Sequence, residues 1–236
     1  MTLARALVVV AQGVFYQMAS SPPNKTPQKA RYDADHPWFI RIAPLVMKVQ
    51  VPLIWACSAA ELLLLATPHL AVPASAGRTL EAVLCAGAHK PALRASPFAL
   101  AGLALVACGS MLRLACYRAL GDLFTFDLTI FPSHALVTGG PYSWVRHPAY
   151  TGTLAMCLGI GLIGLTPGSW VAECAVRAGW TSALLRLAGA AVWWCWWLSV
   201  GVTRCRAEDA ELKKKFGAEW EKYAARVPWW FVPGLM

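Results

Sequence analysis

Five long apolar stretches constrain the fold of this chain more than any other feature of its sequence. Each is long enough to cross a bilayer core as a helix, which takes about 20 mostly apolar residues. Only 14% of the 236 residues are charged, whereas an ordinary soluble domain carries about 25%. The sequence therefore predicts an all-α integral membrane protein, with spans at about residues 3–19, 43–67, 96–117, 150–166 and 182–203.

The first stretch could also be a signal peptide, because such peptides place an apolar run near the start of a chain. Arg5 is the only basic residue near the start of this stretch, which is little for the basic segment of a signal peptide, and no clear small-residue cleavage site follows the stretch. We therefore expect a retained span.

Basic residues in the connections predict the orientation, because cytosolic loops of membrane proteins carry an excess of Lys and Arg. This places the C-terminus and the loop with Arg146 in the cytosol, and the N-terminus on the opposite side. The net charge of +9 has the same origin. The basic residues form no stripe, so we expect no nucleic-acid partner. The basic residues that predict this orientation follow the first span, lie at or near the loop between the third and fourth spans, or follow the fifth span. They are Lys25, Lys29, Arg31 and Arg41, then Arg113, Arg118 and Arg146, and then Arg204, Arg206, Lys213, Lys214, Lys215, Lys222 and Arg226.

The eight cysteines do not form a metal-binding pattern. None belongs to a C-x-x-C motif, and most fall inside apolar stretches. We expect buried thiols that act as small apolar side chains, and no metal site. Cys85 and Cys174 fall in the two connections that the orientation places away from the cytosol, where they could pair as a disulfide.

Three features inside the spans each allow a structural and a functional interpretation. Gly159–Gly164 matches G-x-G-x-x-G, but its place in mid-span favours close helix packing over a dinucleotide loop. The tryptophans at 193, 194, 196 and 197 suit an interface anchor or a wall for a lipid chain, with Trp194 as our candidate contact. Glu61 and Lys48 are ionisable residues within a span, and they either carry function or pair and snorkel locally.

A polar cluster stands where the fourth span begins. It contains Tyr142, Arg146, His147 and Tyr150, with Pro148 as a helix-start signal. The start of a helix carries partial positive charge and free N–H groups, which suit an anionic ligand. The cluster therefore indicates a binding site at a membrane surface, although two cations meeting lipid headgroups would look similar.

Arg204 and Glu208 stand four residues apart on a helix that leaves the fifth span, where the sequence becomes charged and helical as far as residue 225. They either form an ion pair along one helix face or both point toward the Arg146 cluster. In the second case the carboxylate would suit a cationic cofactor and the arginine an anionic substrate.

Several of these motifs, in this order, resemble those of the isoprenylcysteine carboxyl methyltransferases. Gly140–Gly152, with its Arg-His-Pro core, is similar to the family signature, and His134–Gly139 fits the pattern upstream. Family members often have Glu-Glu where this chain has Glu208-Asp209, which shortens the second side chain by one methylene. The resemblance covers about residues 95–236 and includes a tail with Arg204, Glu208, Asp209, Phe216, Gly217, Trp220, Tyr223, Arg226, Val227 and Pro228.

The resemblance implies S-adenosylmethionine as methyl donor and a prenylated C-terminal cysteine of a processed C-a-a-X protein as acceptor. It implies an enzyme of the endoplasmic reticulum membrane whose active site faces the cytosol and is completed by a cytosolic C-terminal helical segment. Residues 1–94 would form N-terminal spans and loops, and residues 95–236 the methyltransferase core. The implied catalytic residues are Arg146, Arg204 and Glu208, and the implied cofactor-binding residues are His134, Leu136, Val137, Gly140, Tyr142, His147, Pro148, Tyr150 and Glu208.

Three alternatives stay open at this point. The chain could methylate the amine of a phospholipid headgroup, or it could be a membrane scaffold that binds lipid and has lost catalysis. It could also be a multi-span reductase that uses a nicotinamide cofactor. The intact set of polar residues argues against the scaffold, and the nature of the acceptor separates the two methyltransferases.

Overall fold

The computed structural model describes residues 2–24, 37–71, 73–85, 91–129, 134–175 and 180–235, and within these residues it is helical and contains no β-strand. The α-helices are α1 (Thr2–Ser20), α2 (Trp38–Arg41), α3 (Ala43–Ala66), α4 (Ala74–Leu84), α5 (Pro97–Leu120), α6 (Pro148–Leu165), α7 (Trp180–Phe216) and α8 (Ala218–Arg226). Short 3-10 turns cover Thr67–His69, Gly121–Leu123 and Gly140–Ser143, and a π-helical turn covers Val171–Ala175.

In the part of the chain that the structure describes, five helices are long and apolar enough to cross a membrane, which confirms the predicted fold class and the number of spans. They cover Leu3–Ser20, Ala43–His69, Pro97–Leu123, Pro148–Leu165 and Trp180–Phe216. The last is longer than the sequence suggested, because α7 continues without a break from the apolar stretch into the charged segment. It stops at Gly217, whose φ of +52° lies in the left-handed region that favours glycine.

The chain divides into two compact units. The first contains residues 1–17, 50–107 and 156–194, and the second contains residues 18–49, 108–155 and 195–236. Helices α1, α3, α5, α6 and α7 each contribute residues to both units. The division at residue 94 that the sequence suggested stays a prediction.

The first unit contains a buried ion pair that explains the ionisable residue in the second span. Arg5 of α1 binds both oxygens of Glu61 of α3, and Nη2 lies 3.0 Å from Oε2. Nη2 also donates to the carbonyl of Ile163, and the backbone N–H of Trp170 donates to Glu61. Glu61 therefore joins α1 and α3, whereas Lys48 is exposed near the start of α3.

Close helix packing in the first unit accounts for one glycine of the G-x-G-x-x-G pattern. A Cβ atom added at Gly159 would lie 2.5 Å from the carbonyl oxygen of Gly102. This confirms the packing interpretation at the contact between α5 and α6. The same unit contains the Cys85–Cys174 disulfide, which joins the end of α4 to the π-helical turn.

We expect Glu61→Ala to lower the free energy of unfolding by about 3–5 kcal/mol, because the change leaves Arg5 charged, buried and without its carboxylate. The double variant Arg5→Met, Glu61→Leu should lie closer to the wild type, since it removes both charges. Unfolding by SDS in mixed micelles measures the free energy of unfolding of the wild type, of Glu61→Ala and of the double variant. A single variant as stable as the wild type would contradict a structural role for the pair.

Candidate functional site

The second unit contains a cavity of about 170 Å³. It is lined by the start of α3, the end of α5, the segment 123–129, the segment 134–150, one face of α7 and Tyr223 of α8. The wall is divided by chemistry, because charged side chains cluster around the start of α6 while other parts of the lining are apolar. The apolar residues include Ala43, Pro44, Met47, Leu120, Leu123, Leu128, Trp197, Val200 and Leu212.

Most of the site residues predicted from the sequence line this cavity, while Gly140 and Pro148 are not part of its wall. Gly140 has a φ of +58° and turns the chain toward Tyr142, and Pro148 is the first residue of α6. These two residues shape the backbone next to the cavity. The predicted residues in the wall are His134, Leu136, Val137, Tyr142, Arg146, His147, Tyr150, Arg204 and Glu208.

His147 is buried between two carboxylates of α7. Its Nε2 lies 2.9 Å from Oδ1 of Asp209, and its Nδ1 lies 3.3 Å from Oε2 of Glu208. A neutral imidazole has one N–H donor, so only the protonated ring can donate to both. Burial by itself lowers the pKa of His147, but the neighbouring Cys205 and the two carboxylates raise it, and the net pKa lies well above 6.5.

The hydroxyl of Tyr150 connects Arg204 with Glu208. It donates to Oε1 of Glu208 and accepts a hydrogen bond of 2.9 Å from Nε of Arg204. Arg204 also donates to the carbonyl oxygen of Phe126 and is 5% exposed. Both α7 residues therefore point toward the polar cluster at the start of α6, as the functional interpretation of their spacing required.

Arg146 attaches the C-terminal tail to the same cluster. Its side chain lies 3.2 Å from Oδ2 of Asp209 and donates to the carbonyl oxygen of Val227. The backbone N–H groups of Arg146 and His147 donate to the carbonyls of Trp229 and Trp230. Trp230 in turn donates to Asp209 over 2.9 Å, so the tail packs onto the Arg-His-Pro turn.

Asp209 is a residue that the sequence-based site did not include. It is 8% exposed and binds His147, Arg146 and Trp230. The signal was present in the sequence, because Asp209 is the second member of the acidic pair. Its shorter side chain still reaches the imidazole.

Arg113 is the second omission, and the sequence placed it among the loop cations. It lies inside α5, is 4% exposed and lines the cavity. Its guanidinium donates to main-chain and hydroxyl oxygens, which are those of Ala19, Ala149, Thr153 and Tyr117. Hydropathy alone does not separate a buried arginine near a helix end from an exposed one.

Three further ionisable residues in the wall, His134, Tyr142 and Tyr223, stay uncharged near neutral pH. Burial and the charge of Lys215 lower the pKa of His134 below 6.5. Burial also raises the pKa of Tyr142 well above 10 and the pKa of Tyr223 to about 12. The Tyr223 hydroxyl donates to the carbonyl oxygen of Tyr142, which fixes α8 against the Gly140–Ser143 turn.

The tryptophan cluster contributes a residue other than the one we selected from the sequence. Trp197 is 5% exposed and lines the cavity, whereas Trp194 is not part of that wall. The sequence could not select between them, because the residues of one cluster differ only in the helix face on which they lie.

Comparisons with known proteins point to one group. The model of the Phospholipid methyltransferase family matches residues 98–219, slightly more than half of the chain. Protein-S-isoprenylcysteine O-methyltransferase B of Arabidopsis thaliana is 30% identical over 129 residues, which cover 54% of this chain and 55% of that protein. The Xenopus laevis protein-S-isoprenylcysteine O-methyltransferase is 35% identical over 79 residues, 29% of this chain and 27% of its own.

A probable protein-S-isoprenylcysteine O-methyltransferase of Oryza sativa subsp. indica is 30% identical over 128 residues, or 53% of this chain and 56% of that protein. The chain thus matches about half the length of the plant relatives, and less of the Xenopus one. The matched residues include the whole polar cluster around His147, and the family resemblance seen in the sequence is confirmed.

We expect the stabilising effect of His147 to disappear as the pH rises. Its folded pKa lies above the ordinary 6.5, so the stabilisation is complete below about pH 6.5 and is lost as the pH passes through the folded pKa. The melting-temperature difference between the wild type and His147→Gln should shrink as the pH rises above about 6.5 and passes through the folded pKa. The exposed His69→Gln is the control. A constant difference would contradict a charged His147.

Proposed function

We propose that this chain, which belongs to the phospholipid methyltransferase family, transfers a methyl group from S-adenosylmethionine to the C-terminal carboxylate of a prenylated cysteine. The names of the Arabidopsis and Xenopus relatives support this acceptor. The observation that carries this proposal is the charged half of the cavity. Arg113, Arg146, Arg204 and the protonated ring of His147 are four cations in the wall. Among the described residues, the carboxylates beside them are three, namely Asp127 and Glu208 in the wall and Asp209, which binds Arg146 and His147. Positive charge is in excess, which favours an anionic acceptor.

The residues of the cavity fit S-adenosylmethionine. Its sulfonium and amino groups are positive, and the side chain of Glu208 is 28% exposed next to the cavity. Tyr150 and His147 fix that carboxylate. Leu136 and Val137 offer apolar surface for an adenine ring. When bound, the cofactor would supply a methyl group on a positively charged sulfur; the methyl carbon would pass to a carboxylate oxygen as its bond to sulfur breaks, and a neutral thioether would leave.

The protein's own task is then positioning, because a carboxylate is already ionised at neutral pH and needs no base. Arg204 suits this task, since Tyr150 and the Phe126 carbonyl hold its guanidinium in place before a ligand arrives. Arg146 is engaged with Asp209 and with Val227, so we assign it to holding the tail against the site. The binding of one carboxylate oxygen leaves the other free to react.

The cavity is less suited to an amine acceptor. A protonated amine would meet the excess of positive charge, and a neutral amine would require a base to remove its proton. Glu208 and Asp209 are the carboxylates next to the start of α6, and both already bind His147. A phospholipid amine is therefore the second candidate acceptor.

The apolar part of the wall suits a prenyl chain. Met47 of α3 and Trp197 and Val200 of α7 lie in the same cavity as the arginines. Each CH₂ group removed from water contributes about 0.8 kcal/mol, so the lipid would supply affinity while the carboxylate supplies orientation. A substrate that carries both a prenyl chain and a carboxylate requires a cavity with both an apolar and a positively charged wall.

We also propose that the site faces the cytosol from the endoplasmic reticulum membrane. The basic residues in the connections support this orientation. The Cys85–Cys174 disulfide supports it independently, because it joins the two connections assigned to the opposite side and disulfides persist in oxidising compartments.

Radiolabelled methyl transfer from S-adenosylmethionine to N-acetyl-S-farnesylcysteine, in membranes containing this chain, tests the proposal. We expect a base-labile methyl ester, and we expect Glu208→Gln to weaken cofactor binding by about tenfold, since it removes a charge that faces the cofactor. Glu211→Gln on the same helix is the control, because Glu211 is more exposed and lies outside the cavity wall. Cofactor binding without ester formation would favour an amine acceptor. If the protein neither binds the cofactor nor forms the ester, the scaffold is favoured.

Trp197→Ala should raise the KM for the prenylated substrate by about tenfold or more, because it removes a large apolar side chain from the cavity wall. The KM for the cofactor should change less. Trp193→Ala is the control, because Trp193 is exposed on the same helix. Equal increases in the two KM values would count against a prenyl-binding wall.

A further inference from the structure

Arg113 is a buried cation whose polar partners are all uncharged. Its Nε lies 2.9 Å from the carbonyl oxygen of Ala19. Its Nη1 lies 3.2 Å from the carbonyl oxygen of Ala149 and 2.6 Å from the Thr153 hydroxyl. Its Nη2 lies 3.0 Å from the Tyr117 hydroxyl. Among the described residues, no carboxylate lies within ion-pair distance of this guanidinium.

The uncharged partners offset only part of the charge. Ala19 lies in the last turn of α1, where the helix dipole supplies about half a negative charge. A guanidinium has five N–H donors, and the contacts of Arg113 occupy four of them. A buried arginine in this state retains both positive charge and a donor for a ligand in the cavity that it lines.

Arg113 and Arg204 converge on the same part of the cavity wall from different helices. The Arg113 guanidinium lies 5.1 Å from the centre of the Phe126 ring, and Arg204 donates to the Phe126 carbonyl. Arg113 also binds the carbonyl of Ala149, and Arg204 binds the hydroxyl of Tyr150, the next residue of α6. Two cations therefore flank the first turn of one helix.

Gly152 leaves the space that the Arg113 side chain occupies. A Cβ atom at Gly152 would lie 2.8 Å from Cγ of Arg113 and 2.6 Å from the carbonyl oxygen of Gly109. The absence of a side chain at Gly152 allows α5 and α6 to approach and leaves Arg113 room to cross α6 toward Ala149. The last residue of the signature segment thus has a steric purpose within the site.

We propose that Arg113 determines the acceptor class of this enzyme, by binding one oxygen of an anionic carboxylate and disfavouring amines. This inference rests on the proposed function and adds to it a residue that selects the substrate. Arg146 is a weaker candidate, since Asp209 already neutralises its charge. Arg204 orients the carboxylate, and Arg113 supplies the charge that makes an anion the preferred occupant.

The test compares a charged ligand with its neutral isostere. Dissociation constants of N-acetyl-S-farnesylcysteine and of its carboxamide are measured on the wild type, on Arg113→Gln and on Arg118→Gln, by calorimetry in detergent. Arg118 is the matched control, because it is exposed on the same helix and lies outside the cavity wall. A charge-assisted hydrogen bond that is lost changes affinity by about tenfold or more.

We expect the wild type and Arg118→Gln to prefer the acid over the amide by about tenfold or more. Arg113→Gln should remove most of this preference while the dissociation constant for S-adenosylmethionine stays within about twofold of the wild type. A purely structural role would weaken the acid and the amide equally, so an unchanged ratio in Arg113→Gln overturns the inference.

Arg113→Lys keeps the inference testable if Arg113→Gln fails to fold. Lysine retains the charge and loses the fixed fork of N–H groups, so the acid-over-amide ratio should fall less than in Arg113→Gln but stay below that of the wild type. A lysine variant that binds the cofactor and keeps the charge, yet shows no preference for the acid over the amide, overturns the inference, whereas a retained preference supports it. No methyl transfer by the wild type would instead overturn the proposed function.

Discussion

The contact of His147 with Glu208 and Asp209 is the interaction on which the site depends. The imidazole precedes α6, and both carboxylates lie on α7, so a single protonated ring joins the two helices that form the charged wall. Burying three ionised groups is costly unless each is paired. Here each carboxylate also has a second partner, since Glu208 binds Tyr150 and Asp209 binds Trp230. The cluster is satisfied internally and does not need a ligand to hold its shape.

The two residues of the acidic pair, Glu208 and Asp209, point in different directions and therefore have different roles. Glu208 lines the cavity, while Asp209 points to Arg146 and Trp230 and so fixes the tail on the Arg-His-Pro turn. Consecutive residues of a helix are about 100° apart around its axis, which lets one side chain face the cavity and the next face the tail. A shorter carboxylate at 209 is compatible with this arrangement, because its imidazole contact is 2.9 Å.

The spans and most of the cavity residues could be predicted from the sequence, since apolar length and a linear motif are local properties. The partner of Glu61 could not, because Arg5 is 56 residues away and the pairing depends on helix contacts. Arg113 and Trp197 were missed for a related reason. Each stands among chemically similar neighbours, and only the rotation of its helix shows which one faces the cavity. The Cys85–Cys174 disulfide was named as a pairing from topology alone.

The three arginines of the cavity wall differ in the partners that offset their positive charge. Arg146 meets a carboxylate and is neutralised by it. Arg204 donates to a tyrosine hydroxyl and a carbonyl, and the same tyrosine hydroxyl binds Glu208, whereas Arg113 is held by two carbonyls and two hydroxyls. Uncharged oxygens orient a guanidinium without cancelling its charge, whereas a carboxylate does both. A protein that only needed to stabilise its helices could pair every buried arginine with an acid, so the choice of neutral partners for Arg113 reserves its charge for a ligand.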